Sequence, residues 1–174
     1  MTIGVIAAME LELENLLPAM EQVERETVSG ITFYKGKAFG KEIVAAVCGI
    51  GKVFAAICAQ TMILRYQPDC IVNLGVAGSL LPDLHVFEIV AAEQLCQHDM
   101  DTSALGDPVG LVSGVNRVYF PADETMVHLL GQCAEELGFL HRTGTIASGD
   151  QFIHTPEKKQ WIRETFGAVA AEME

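Results

Sequence analysis

The sequence is poor in basic residues: 11 Lys and Arg stand against 23 Asp and Glu, which gives a net charge of −12. A surface that binds nucleic acid needs clustered positive charge, and the basic residues of this chain are scattered. Long apolar runs are lacking too, since none approaches the length of a membrane span. We therefore expect no nucleic-acid partner and no membrane partner.

Paired cysteine motifs are also missing. The chain has five cysteines: Cys48, Cys58, Cys70, Cys96 and Cys133. An odd, dispersed set that lies mostly within apolar runs is typical of reduced, buried thiols. The apolar run at residues 3–9 has no basic segment before it, so it does not resemble a signal peptide. These features predict a cytoplasmic protein.

Several chemical motifs are absent. Neither GxGxxG nor GxxxxGK[ST] occurs, so the usual phosphate-binding loops are excluded, and no GxSxG nucleophile motif is present. His98, Asp99 and Asp101 form only a local cluster, whereas a metal site needs three or four converging ligands. We favour a hydrogen-bonded histidine in a loop over a metal site at this position.

Short apolar runs alternate with helical patterns along the whole chain. Strands are predicted at residues 2–8, 31–37, 42–47, 70–74, 87–92, 142–148 and 168–173. Helices are predicted at residues 9–20, 53–66, 124–137 and 156–166. This alternation predicts the α/β class, with one domain over residues 1–174 and a mostly parallel sheet.

Glycines or acids follow four of the predicted strands, at residues 8–12, 49–52, 75–79 and 148–150, and the last strand leads to Glu174. The carboxyl ends of parallel strands share one edge of a sheet, where ligands bind. This edge is rich in carboxylates and poor in Lys and Arg. A nucleoside or a sugar therefore fits it better than a nucleotide does.

Glu12 and Glu174 are the candidate catalytic pair. Hydrolysis at a sugar anomeric carbon passes through an oxocarbenium-like state, which carboxylates stabilise and for which a carboxylate can activate water. The alternative is an acidic helix start at Glu12 and a solvated side chain at Glu174. Phe152 also has two interpretations: its ring stacks on a base, or it packs in the core.

Six segments, in this order and spacing, resemble the 5′-methylthioadenosine/S-adenosylhomocysteine nucleosidase family of the nucleoside phosphorylase superfamily: IGVIAAMELELENL, GIGKVFAA, NLGVAGSL, QHDMDTSALG, SGDQFI and AEME. The resemblance covers the whole chain. It implies a single α/β domain around a twisted mixed sheet flanked by helices, and a homodimer. It also implies hydrolysis of the adenine–ribose bond of the two nucleosides, with no cofactor and no metal.

The resemblance implies roles for individual residues. Glu12 matches the residue that activates the water, and Glu174 matches the carboxylate that holds the ribose hydroxyls and supports the cationic sugar. Phe152 would stack on adenine, and the backbone of Ile153 would read the adenine edge. The resemblance also places Met9, Ala77, Gly78 and Met173 in the substrate site. The segment at 102–105, which includes Leu105, would extend into the 5′-thio pocket of the partner subunit.

The chain departs from the family in two ways. Many members have Ser where this chain has Val76. The family also continues beyond AEME with a strand that ends in an aspartate, the general acid toward adenine, and with a long final helix. We therefore expect a C-terminally truncated member that lacks this strand and helix. The alternatives are a related nucleoside hydrolase or phosphorylase, and a catalytically impaired nucleoside-binding protein.

Overall fold

The computed structural model describes residues 1–174, which divide into two compact units. The first comprises Met1–Val76 together with Glu174, and the second comprises Ala77–Met173. Each unit contains one five-stranded mixed sheet. None of the helices combines the length and the apolar character needed to cross a bilayer.

The strands of the first unit are β1 (Thr2–Ala7), β2 (Glu21–Val28), β3 (Ile31–Ala38), β4 (Lys41–Val47) and β5 (Cys70–Asn73). They lie in the order β2-β3-β4-β1-β5, with β4, β1 and β5 parallel and the other pairs antiparallel. The helices are a 3-10 turn (Glu10–Leu13), α1 (Leu16–Ala19) and α2 (Lys52–Tyr66).

Strand β4 is buried on both faces, which explains its continuous apolar run. Val44 points into a core cluster with Phe33 and with Met62 of α2. Its neighbour Ile43 points into a second cluster, on the opposite face, with Leu13 of the 3-10 turn. The sheet of the first unit is therefore covered by α2 on one face and by the segment that follows β1 on the other.

The strands of the second unit are β6 (Gly78–Ser79), β7 (Ile89–Gln97), β8 (Tyr119–Pro121), β9 (His141–Ser148) and β10 (Ala168–Glu172). Their order is β6-β10-β9-β7-β8, with β10, β9 and β7 parallel and the two short outer strands antiparallel. The helices are a 3-10 turn (Ser103–Leu105), α3 (Glu124–Glu136) and α4 (Pro156–Phe166).

Side-chain caps begin both long helices of the second unit, as their sequences suggest. The Asp123 side chain accepts a hydrogen bond from the Met126 N–H, and the Thr155 hydroxyl accepts one from the Lys158 N–H. These bonds satisfy backbone donors that have no partner within a helix. Helix α4 then buries Ile162 and Phe166 in the core cluster of this unit.

The α/β class and the mixed strand arrangement are confirmed, and the strands are divided between two sheets. The single helix predicted at residues 9–20 is wrong, because a 3-10 turn and the four-residue helix α1 occupy this stretch. The Glu12 side chain bonds to the backbone before the turn, and Pro18, which lies within α1, has no N–H with which to continue a helix from the turn. Strand β2 was not predicted, since it is an exposed edge strand of mostly polar residues.

The five cysteines form no disulfide, and three of them are buried: Cys48, Cys58 and Cys96. Cys133 is exposed, so the expectation of buried thiols is wrong for this residue. Burial raises the pKa of Cys58 to about 12, with a smaller contribution from nearby Cys48. Burial also raises the pKa of Cys96 to about 12, so both thiols stay protonated at neutral pH.

Candidate active site

The carboxylate of Glu12 is held by three backbone N–H groups of the first unit. Its Oε2 accepts hydrogen bonds from Ala8 N at 2.8 Å and from Met9 N at 2.9 Å. Its Oε1 accepts one from Val76 N at 3.1 Å. The donors come from the carboxyl-terminal ends of β1 and β5, which are parallel neighbours. This side chain is therefore fixed at the edge of the sheet where the sequence placed it.

Gly75 allows the loop after β5 to approach this carboxylate. A Cβ at Gly75 would lie 2.8 Å from Oε1 of Glu12 and 3.2 Å from its Cδ, both closer than ordinary contact. Only glycine leaves room for the carboxylate here. The adjacent Val76 contributes its backbone N–H, while its side chain is 77% exposed. The bond to Glu12 is therefore independent of which side chain stands at position 76.

Glu174 lies at the N-terminus of α2. Its Oε1 accepts a hydrogen bond from Gly51 N at 3.3 Å. Gly51 is the N-cap residue of this helix and has a φ of 113°, a conformation that favours glycine. The positive end of the helix dipole attracts the negative charge of the Glu174 carboxylate. The two predicted catalytic carboxylates are thus both anchored by backbone donors of the first unit.

Met9 connects Glu12 to the end of β1. It is the N-cap residue of the 3-10 turn Glu10–Leu13, with extended backbone geometry and an exposed side chain. Its N–H donates to Glu12, which stands three residues later, as in one half of a capping box. Met9 therefore holds the Glu12 carboxylate through its backbone N–H, while its side chain is exposed.

In the second unit, Phe152 and Ile153 follow the carboxyl-terminal end of β9. The Phe152 side chain is 78% exposed, and its ring lies parallel to that of His154 with 6.3 Å between centroids. Ile153 is half-buried and packs against the core cluster that α4 completes. An exposed aromatic face beside an anchored backbone segment suits a planar ligand such as a nucleobase.

Gly78 and Met173 lie near neighbouring strand ends of the same unit. Gly78 begins β6 and pairs with Ala171 of β10, two residues before Met173. Ala77 directly precedes Gly78 and is exposed. The antiparallel pairing of β6 with β10 brings these predicted pocket residues to the end of the sheet from which the Phe152 segment also emerges.

Leu105 is separate from the other predicted site residues along the chain. It ends the 3-10 turn Ser103–Leu105, and its side chain is 83% exposed. Hydrogen bonds from Thr102 to Asp107 and from Gly110 to the Met100 carbonyl give the surrounding loop a defined shape. An ordered loop that exposes a large apolar side chain is compatible with a contact to another chain.

The local cluster at His98 links two segments of the second unit. No group of three or more His, Cys, Asp and Glu side chains converges as metal ligands do anywhere in the chain. His98 is buried, and its backbone N–H bonds to the Ser148 carbonyl at 2.9 Å. Asp99 accepts a hydrogen bond from Asp150 N at 2.8 Å. The cluster therefore fastens β7 to the segment after β9.

A cavity of about 610 Å³ lies between α3 and the sheet of the second unit. Acids and two histidines line much of it, among them Glu93, His128 and His141. It contains none of the predicted site residues. The carboxylates that backbone donors hold, Glu12 and Glu174, lie at strand ends outside this cavity.

Three residues that hold the predicted site residues in place were not predicted from the sequence. Gly75 is the close neighbour of Glu12, and Gly51 is the donor to Glu174. The third is Asp99, which holds the segment before Phe152. The only available signal was the position of Gly51 and Gly75 after predicted strands, and the position of Asp99 in the local cluster with His98.

Comparisons with known proteins identify the family of the chain. Residues 2–174 match the family model described as the Phosphorylase superfamily. The chain is 35% identical over 176 residues to a Shewanella loihica protein named 5′-methylthioadenosine/S-adenosylhomocysteine nucleosidase, an alignment that covers 100% of this chain and 76% of that relative. It is 36% identical over 174 residues to an aminodeoxyfutalosine nucleosidase of Campylobacter jejuni, with the same two coverages.

The fold is also similar to that of solved structures. The crystal structure of a Helicobacter pylori MTAN mutant with 5′-methylthioadenosine in its active site superposes with a TM-score of 0.95 at 35% sequence identity. The superposition covers 99% of this chain and 75% of that chain.

Proposed function

Because the chain belongs to the phosphorylase superfamily, we propose that it hydrolyses the N-glycosidic bond of 5′-methylthioadenosine and S-adenosylhomocysteine. The products are adenine and the corresponding thioribose. The resemblance found in the sequence is confirmed at the level of the family. The observation that carries the proposal is the Glu12 carboxylate, oriented at a sheet edge by three backbone donors.

We assign proton transfer to one oxygen of Glu12 from the pattern of its hydrogen bonds. A carboxylate has about four acceptor sites, two on each oxygen. Backbone N–H groups occupy two on Oε2 and one on Oε1. The remaining site is on Oε1, where a water molecule can donate. Glu12 then acts as the general base and takes one proton from this water, whose oxygen forms the new bond to the anomeric carbon. The C–N bond to adenine breaks with its electron pair on the base, which leaves as an anion and takes up a proton from solvent.

Glu174 stabilises the sugar as positive charge develops on it. Its carboxylate is fixed at the N-terminus of α2 by Gly51 N, so it does not need to reorganise during the reaction. Preorganised negative charge of this kind favours an oxocarbenium-like state over the neutral nucleoside. We assign binding of the ribose hydroxyls to the same carboxylate, as the family resemblance implies.

We assign the remaining predicted residues to substrate binding. Phe152 stacks on adenine with its exposed ring, and the backbone of Ile153 hydrogen-bonds the adenine edge. The side chains or backbone that line the ribose and base belong to Met9, Ala77, Gly78 and Met173. The reaction as derived from these residues uses water and carboxylates, with no cofactor.

Aminodeoxyfutalosine is a second candidate substrate. A relative named for that activity is 36% identical to this chain, against 35% for the methylthioadenosine relative, so sequence identity does not separate the two. The relative rates with the two nucleosides decide between them.

Adenine release measured by chromatography tests the proposal. We expect release from 5′-methylthioadenosine and S-adenosylhomocysteine without added phosphate. Glu12→Gln should lower kcat about 10²–10⁴-fold, the usual contribution of a general base, and leave KM nearly unchanged. Glu10→Gln is the matched control, since Glu10 is an exposed acid of the same turn. Unchanged turnover in Glu12→Gln would remove Glu12 as the base.

The same assay separates the alternatives. Faster turnover of inosine with phosphate would establish a phosphorylase. Binding of 5′-methylthioadenosine without any cleavage would establish a nucleoside-binding protein.

We also propose that the protein is a homodimer. Helix α2 carries exposed apolar residues on the face opposite its buried side, among them Val53, Ile57 and Leu64. An apolar stripe on an otherwise acidic protein fits a second copy of the same surface. Leu105, at the tip of its ordered loop, would then reach the partner's 5′-thio pocket.

Light scattering coupled to gel filtration tests the homodimer. We expect a dimer that Leu64→Lys converts to a monomer, because a buried charge opposes association. Leu137→Lys is the matched control, since Leu137 is an equally exposed leucine of the second unit. A monomeric unsubstituted protein would contradict the proposal.

We place the protein in the cytoplasm on the basis of its dispersed thiols.

A further inference from the structure

We propose that Asp99 is a positioning residue that sets the geometry of residues 149–153, and thereby of Phe152 and Ile153 against adenine. The inference rests on the proposed function, since it is the proposed substrate that gives this segment its role. Asp99 does not touch the substrate in this scheme. It acts through the backbone of Asp150, whose N–H donates to its Oδ2 at 2.8 Å.

Two hydrogen bonds continue the pairing of β7 with β9 beyond the ends of the strands. In the parallel ladder Gln97 stands opposite Ser148. One residue further, His98 N donates to the Ser148 carbonyl at 2.9 Å. The next bond is made by the Asp99 side chain to Asp150 N. The carboxylate therefore takes over where the backbone ladder stops, at the point where the chain turns toward Phe152.

Gly149 fixes the start of the same turn. It is buried, and a Cβ there would collide with the imidazole ring of His98. Its N–H donates to the Glu172 carbonyl of β10 at 3.1 Å, and its carbonyl accepts from Gln151 N at 2.7 Å. The backbone is thus held between β7 and β10 at Gly149, and Asp99 fixes the direction in which it leaves.

Phe152 needs this support because core packing does little to orient it. Its side chain is 78% exposed, whereas Ile153 beside it packs against the core. The segment is consequently anchored at both ends, by Asp99 before Phe152 and by Ile153 after it. Loss of the Asp99 bond releases the first anchor, so Phe152 and the Ile153 backbone sample more orientations before adenine binds.

Two variants of Asp99 and one control test the inference. Asp99→Ala removes the acceptor, and Asp99→Asn keeps a carbonyl oxygen that can accept from Asp150 N. Asp123→Ala is the matched control, because Asp123 also accepts one backbone N–H bond, from Met126, at the start of α3. Amide hydrogen exchange across residues 149–153 and steady-state kinetics with 5′-methylthioadenosine are measured on all three and on the unsubstituted protein.

We expect Asp99→Ala to speed exchange of the Asp150 amide. It should also raise KM for 5′-methylthioadenosine about tenfold and change kcat less, because one charge-assisted hydrogen bond is lost. Asp99→Asn should recover most of the exchange protection and of KM. Asp123→Ala should alter exchange only near α3 and leave KM as it is. A purely structural role for Asp99 would instead lower the melting temperature with KM intact.

The inference is overturned if Asp99→Ala leaves either the Asp150 exchange rate or KM within twofold of the unsubstituted protein. If Asp99→Ala does not fold, Asp99→Glu takes its place, because the longer side chain moves the carboxylate away from Asp150 N. Faster Asp150 exchange and a raised KM in Asp99→Glu support the inference, and normal values for both overturn it. Failure of the proposed function is a different result: the unsubstituted protein would then neither bind nor cleave 5′-methylthioadenosine, while the exchange measurement would still report whether Asp99 holds the segment.

Discussion

Replacing Gly75 with alanine should displace the proposed catalytic base without changing any group that reacts. The new Cβ would stand 2.8 Å from Oε1 of Glu12, where ordinary contact begins at 3.4 Å. The carboxylate must then retreat by about 0.6 Å, and its bond to Val76 N, already 3.1 Å long, is the one that lengthens. That movement occurs at the oxygen to which we assign the water.

A displacement of this size predicts a measurable loss in rate. A misplacement of about 1 Å can cost on the order of a hundredfold, so we expect kcat of Gly75→Ala to fall about tenfold or more while KM changes little. Crowding of the site should destabilise the fold by about 1–3 kcal/mol. For a chain of this length each kcal/mol corresponds to a fall of about 2–4 °C in melting temperature.

The assay is adenine release together with thermal unfolding. Gly114→Ala is the matched control, because a Cβ there would meet nothing within 4 Å, and it should behave like the unsubstituted protein. In a Glu12→Gln background, Gly75→Ala should cause little further loss of kcat, since both changes act on one carboxylate. Full kcat in Gly75→Ala, or additive losses in the double variant, would refute the account of how Gly75 serves Glu12.

Phe152→Ala should raise KM for adenine nucleosides about tenfold, because base stacking is lost. Its melting temperature should stay almost unchanged, because the ring is 78% exposed. Phe39→Ala removes another exposed ring and should alter neither KM nor the melting temperature. Cys58 and Cys96, whose pKa values are raised to about 12, should resist thiol reagents at pH 8 while exposed Cys133 reacts, and equal labelling without unfolding would contradict their burial. The same raised pKa values predict how the free energy of unfolding depends on pH. The contribution of these two thiols is complete below pH 9, the ordinary thiol pKa, and it declines as pH rises from 9 toward 12, because the thiols of the unfolded chain lose their protons first. Thermal unfolding between pH 7 and pH 10 measures the start of this decline.

Long helices and strands with a buried face were predictable, because the order of apolar and polar residues along them follows which side chains are buried. Helix α2 was expected at 53–66 and is observed at Lys52–Tyr66, and β4 was expected at 42–47 and is observed at Lys41–Val47. Strand β2 was missed because an exposed edge strand needs no apolar alternation. Its place in the sheet is decided by pairing with β3, which no local pattern in residues 21–28 encodes.

The sequence by itself determined the chemistry available at the strand ends. Apolar runs followed by glycines and acids located Glu12 and Glu174, and the six segments identified the family. What only the tertiary structure decided is how these carboxylates are held. Ala8, four positions before Glu12, and Val76, sixty-four positions after it, both donate to its carboxylate. The donor to Glu174 is Gly51. Backbone N–H groups are alike in every residue, so the sequence cannot say which of them will meet a given carboxylate; the parallel pairing of β4, β1 and β5 brings them together.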